Sequence, residues 1–107
     1  MPQINLQQLQ LSPNHLELLR ILLRQCVPAA EVWAYGSRVT GGCHEGSDLD
    51  LVLRNPKQLD CVVDGLEDLT KAIQASLLPM LIDLHLWAGL PEEFKRNIEN
   101  AYVKIQG

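Results

Sequence analysis

"GSRVTGGCHEGSDLDLVL", residues 36–53, decides how this chain is read. A glycine–serine pair is followed, after ten intervening residues, by Asp48 and Asp50, and both acids lie in a run of leucine and valine. The alternation over 48–54 puts Leu49, Leu51 and Leu53 on one side of a strand and Asp48, Asp50, Val52 and Arg54 on the other. The two acids therefore share a face. Burying a carboxylate without a partner costs several kcal/mol, and this stretch offers only Arg38 and Arg54 as counterions. Positive charge from elsewhere is implied.

Working outward, "EVWAY" (31–35) is rich in β-branched and aromatic residues and stops at Gly36, as a short strand does. Upstream, Ser12-Pro13 offers an N-cap and a first-turn proline. Leu16, Leu19, Leu22, Leu23 and Cys26 recur at helical spacing, which predicts a helix over 13–26 closed by Pro28. The glycines at 36, 41, 42 and 46 make a loop with room for one helical turn after Ser37. Downstream, Leu59, Val62, Val63, Leu66, Leu69, Ile73 and Leu77 predict a helix over 58–77 that Gly65 weakens. "MLIDLHLW" (80–87) reads as a strand with Asp83 and His85 on one face. Pro91-Glu92-Glu93 opens a last helix with Phe94, Ile98 and Ala101 as its buried stripe, and 102–106 alternates like a short edge strand. This order of elements indicates an α/β or α+β sheet with helices over one face.

The chain has 107 residues, 47% of them hydrophobic, which suits one domain over 1–107 with residues 1–11 expected as a loosely ordered N-terminal extension. A formal net charge of -4, with nine Lys and Arg scattered rather than clustered, argues against a nucleic-acid partner. No stretch approaches a membrane span, and the glutamine-rich start lacks a signal pattern, so a cytoplasmic protein is expected. Cys26, Cys43 and Cys61 form no Cys-x-x-Cys pair and read as reduced thiols.

If the strand carrying Asp83 lies beside the strand carrying Asp48 and Asp50, three carboxylates converge on one face and cannot all ionise without added positive charge. Mg²⁺ meets that need: it prefers carboxylate oxygen and completes its shell with water and substrate phosphates. Two such ions, roughly 3.5–4 Å apart, clamp the attacking and leaving oxygens of an in-line phosphoryl displacement. The Gly36-Ser37 turn supplies the complement, since glycine lets backbone approach a phosphate and a helical turn starting there aims N–H groups at it.

Gly36-Ser37, ten residues, Asp48-Leu49-Asp50, and Asp83 on a later strand resemble the nucleotidyltransferase signature of the DNA polymerase β superfamily. More closely, "YGSRVTGGCHEGSDLDLVL", "LIDLHLW" and "LPEEFKRNIENAYVKIQ" are similar to the minimal nucleotidyltransferases, small antitoxin-type proteins paired with HepT-like helical partners; the match runs from about Val32 to Gln106. The resemblance implies a small mixed sheet flanked by helices, Mg²⁺-dependent use of ATP, and transfer of AMP to a hydroxyl, such as a tyrosine on the partner. It makes Asp48, Asp50 and Asp83 metal ligands, Asp83 also the activator of the attacking hydroxyl, and Gly36, Ser37, Arg38 and Ser47 the phosphate-binding set. Two departures bear on phosphate affinity: Thr40 stands where many relatives carry a second basic residue, and Cys43-His44-Glu45 replaces a more usual polar stretch.

Other readings stay open at this level. A contact-only binding module would neutralise a helical partner with inert acids. A small-molecule nucleotidyltransferase of the aminoglycoside-modifying kind would need an acceptor pocket, built by a homo-oligomer at this size. His85 either contacts a nucleotide or bonds a neighbouring carboxylate. Trp87 is read as packing at the edge of the core rather than as a base-stacking ring, and Trp33 and Tyr35 as core or interface residues.

Overall fold

The computed structural model describes residues 9–41 and 48–107. Helix α1 (Pro13–Cys26) starts where Ser12 caps it, the serine hydroxyl accepting from the His15 N–H at 3.3 Å. It ends where the Val27 N–H returns to Leu23 O ahead of Pro28, which has no N–H to continue the ladder. Strand β1 (Glu31–Tyr35) follows, then a single turn of helix, α2 (Ser37–Thr40). Strand β2 (Leu49–Arg54), helix α3 (Leu66–Gln74), strand β3 (Ile82–Leu86), a 3-10 turn at Trp87–Gly89, helix α4 (Glu92–Asn100) and strand β4 (Val103–Gln106) complete the order.

The four strands form one mixed sheet in the order β3-β2-β1-β4, with β2 antiparallel to β1, β4 antiparallel to β1, and β3 parallel to β2. The expected α+β architecture with a small mixed sheet is present. Parallel neighbours need a crossover, and α3 lies within the one that joins β2 to β3.

Strand parity sorts the core. Leu49, Leu51, Leu53, Val32, Ala34 and Val103 pack on one face with Leu19 and Leu23 of α1 and Leu69 of α3. Trp33, Val52 and Trp87 pack on the other with Ile98 of α4. The expectation of helices over one face is therefore corrected. The second face carries two tryptophans and a valine that water would penalise, and the apolar stripe of α4 covers them.

The predicted 58–77 helix is also shortened. Asn55 Oδ1 accepts from the N–H groups of Lys57 and Gln58, holding a turn there. Helix α3 begins only after Gly65, whose φ of +95° is the left-handed region that favours glycine. A Cβ at that position would collide with the Cys26 carbonyl oxygen at the end of α1. The glycine is the joint between the two helices rather than a weak point inside one. At the far end the Ser76 hydroxyl donates to Ile73 O and accepts from the Leu78 N–H, closing the helix and leaving Leu77 89% exposed.

The segment expected to be loosely ordered is tied down from Leu9 onward. Leu9 is in the core and the Gln10 N–H donates to Arg38 O at 2.7 Å; residues 1–8 lie outside the described ones. Among the described residues no helix is long and apolar enough to cross a membrane. Cys26 and Cys61 are free thiols, and Cys43 is outside the described residues.

Gly65→Ala should lower unfolding stability by about 1–3 kcal/mol, the usual scale for a side chain forced into such backbone. Urea denaturation measures it, and an unchanged midpoint would contradict the joint assigned to Gly65.

Candidate active site

Register builds the centre. Asp50 of β2 is the direct partner of Asp83 across the parallel β2–β3 pair and of Tyr35 across the antiparallel β2–β1 pair. Directly opposed residues in a sheet point to the same face, so Tyr35, Asp50 and Asp83 form one row, with His85 two residues beyond Asp83. Burial holds the Asp50 carboxyl above its ordinary value, and Asp83 and Asp48 push the same way against an opposing pull from His85. The Tyr35 phenol is pushed up to about 12, first by burial and then by Asp50 and Asp83.

The glycine–serine turn abuts this row. Gly36 has φ +84°, and a Cβ there would stand 2.5 Å from Asp50 Oδ2, so only glycine brings the backbone this close to the carboxylate. Its carbonyl accepts from the N–H groups of Val39 and Thr40, each at 3.0 Å, and from the Thr40 hydroxyl at 3.2 Å. Ser37 opens α2, where a first N–H has no intrahelical acceptor. The turn thus presents a hydroxyl and an N–H donor next to a carboxylate.

The residues expected to act together are not all placed alike. Asp50 and Asp83 are neighbours; Asp48 is exposed, just before β2, and reaches Asp50 through its charge. Ser47, with Cys43, His44 and Glu45, lies outside the described residues. Arg38, expected at the phosphates, is only 7% exposed, and its Nη1 donates to Gln10 O at 2.7 Å. Arg54 pairs with Glu31 at 2.5 Å. None of the ion pairs among the described residues involves Asp48, Asp50 or Asp83. The two arginines that the sequence offered as counterions are thus bonded to Gln10 and Glu31.

Among the described residues no three His, Cys, Asp or Glu side chains close into a ready metal cage. The donor set still fits magnesium, which retains several waters and takes one or two carboxylates plus substrate phosphates instead of an all-protein cage. Asp50 and Asp83, adjacent, of like charge and in no ion pair among the described residues, are such carboxylates.

Tyr35, expected as a core or interface residue, packs against the Trp33 cluster, and strand pairing also makes it the partner of Asp50, which the local sequence does not reveal. Phe94 was read as buried; it is 40% exposed and stands edge-on to Tyr35, ring centres 6.1 Å apart. Trp87 packs edge-on to Trp33 at 5.4 Å, the packing role expected of it.

A mixed sheet with paired strand carboxylates beside a glycine–serine turn is the arrangement of a nucleotidyl-transferring enzyme. The family model described as "Nucleotidyltransferase domain" matches residues 16–105, and the chain belongs to that family. It is 38% identical over 99 residues to "Probable protein adenylyltransferase MntA" of Haemophilus influenzae, an alignment covering 92% of this chain and 85% of the relative.

Two outcomes follow from this geometry. Because the Asp50 pKa is raised on folding, the folded chain keeps a proton that the unfolded chain releases above the ordinary value of 3.8. Stability therefore falls as pH rises through that window, and ionised Asp50 is a net cost at neutral pH. Asp50→Asn should raise the thermal midpoint at pH 7 in chelator-containing buffer and flatten this slope; a lowered midpoint would contradict the assignment. Arg38→Ala should cost about 1–3 kcal/mol, since it strands a backbone acceptor and removes a charge-assisted bond; chemical denaturation reads it directly.

Proposed function

We propose that this enzyme transfers AMP from ATP to a hydroxyl of a partner protein of the HepT-like helical kind, with Mg²⁺ held by Asp50 and Asp83 and assisted by Asp48. The observation that carries the reading is the in-register Asp50–Asp83 pair against the Gly36 backbone. The relative from Haemophilus influenzae, named as a protein adenylyltransferase, supports a protein as the acceptor.

Bound magnesium would supply the positive charge that lets these carboxylates and a polyphosphate share one site and that stabilises charge developing on the phosphoryl oxygens. The chain's own residues do the rest. The Gly36 backbone and the Ser37 hydroxyl and N–H hold the two terminal phosphates, fixing the leaving group. Asp83, exposed at the open edge of the row, accepts the proton of the attacking hydroxyl on a carboxylate oxygen. A bond forms from the acceptor oxygen to the α-phosphorus while the bond from that phosphorus to the bridging oxygen breaks, and pyrophosphate departs with the electron pair. Tyr35 stays protonated at working pH and serves as a hydrogen-bond donor rather than as a nucleophile.

Incubating the chain with ATP, Mg²⁺ and the product of an adjacent reading frame encoding a small helical protein should increase that protein's mass by one or more AMP units. Asp50→Asn and Asp83→Asn should each slow the transfer by at least about 100-fold. A partner that is neutralised without any mass change, equally by wild type and both variants, would replace this reading with neutralisation by contact alone.

A further inference from the structure

A small cavity of about 220 Å³ opens beside the turn, lined by Tyr35, Gly36, Thr40, Phe94, Asn97 and Ala101 together with the buried Ile98. Its walls are mainly apolar, and Phe94 meets Tyr35 edge to face with ring centres 6.1 Å apart, so the two rings make one continuous wall. Sites for whole drug-sized ligands run to about 300–1,000 Å³, so this one has room for a single ring system. An aromatic wall favours a flat one laid against it. Asn97, exposed on α4, brings a side-chain amide with both a donor and an acceptor.

Gly36 and Thr40 belong to this slot and to the phosphate turn alike. In an in-line displacement the attacking oxygen approaches opposite the leaving group. If the turn holds the departing pyrophosphate, the acceptor comes from the far side of the α-phosphate, away from residues the turn contributes. A slot sharing those residues is then on the nucleotide's own side of the reaction. We propose that the Tyr35–Phe94 slot seats the base of the nucleotide, with the Asn97 amide reading its polar edge. This rests on the turn being the phosphate grip.

Calorimetry on the full chain with MgATP, magnesium tripolyphosphate and adenosine tests it, with circular dichroism melts checking that each variant folds. Phe94→Ala should weaken MgATP and adenosine by roughly tenfold, the scale of one lost ring–base contact, and leave tripolyphosphate unchanged. Ala101→Leu, which fills the slot while keeping the ring, should do the same. Asn97→Ala should narrow the preference between ATP and GTP. Unchanged MgATP affinity in Phe94→Ala and Ala101→Leu, or equal weakening of MgATP and tripolyphosphate, overturns the proposal. A wild-type chain that binds adenosine but not tripolyphosphate defeats the phosphate-grip reading instead, and the adenosine responses of the two variants then decide the slot. Binding of neither defeats both.

Discussion

The pairing of β2 with β3 is the constraint on which the site depends. Parallel register sets Asp50 directly beside Asp83, and neighbouring strands run only about 4.8 Å apart. That separation is well inside the Debye length of about 8–10 Å at ordinary salt, so dissolved ions do little to relieve the repulsion. The sheet tolerates it because the opposite sides of the same strands are well anchored. Leu49 and Leu51 are fully buried and Leu84 and Leu86 pack against the same core. A one-residue slip of β2 would move Leu49 and Leu51 out of that core and turn the acids into it. Hydrophobic register thus enforces an electrostatic arrangement that the carboxylates alone would disperse.

The second face solves a different problem around Arg54. Its guanidinium lies 3.9 Å from the centre of the Trp33 ring and 4.5 Å from that of Trp87, while Glu31 supplies the opposing charge. Cation–π contact of a desolvated arginine is worth up to about 2 kcal/mol, which helps offset the buried Arg54 Nε and Trp33 Nε1 atoms that have no hydrogen-bond partner. Tyr102 stacks on Trp33 at 3.7 Å, fastening the start of β4 to the sheet centre. At one end of this face lies the carboxylate row and at the other this aromatic clamp. Helix α4 spans both, Ile98 serving the clamp and Phe94 meeting Tyr35 and His85.

What was legible in the sequence follows from which forces act locally. Helix α1 was readable because Ser12, Pro13 and Pro28 are local start and stop signals, and the alternation in 48–54 assigned the faces of β2 correctly. The 58–77 helix was over-read because apolar spacing cannot reveal that Gly65 must clear the Cys26 carbonyl, a contact made across the fold. The Asp50–Asp83 proximity was inferred from residue types, but its cause, parallel pairing, is nowhere in the local pattern. The partnership of Tyr35 with Asp50 depends on strand pairing in the same way. The bond from Arg38 to Gln10 O was not legible either, because it joins residues 28 positions apart.

The bonds that Arg38 makes bear on the phosphate grip proposed for this turn. The Gln10 N–H donates to Arg38 O while Arg38 Nη1 donates to Gln10 O, so backbone and side chain of one residue both fasten the turn to a segment 28 positions upstream. Leu9 anchors that segment in the core. A four-residue helix cannot hold its own shape, because helix nucleation is unfavourable and short helices depend on tertiary contacts. Bracing from behind supplies what length does not, and fixes Gly36 against Asp50 before any ligand arrives. Hydrogen-bond donors held this way need no reorganisation when charge develops on a departing phosphate, which is where preorganised dipoles lower a barrier most effectively.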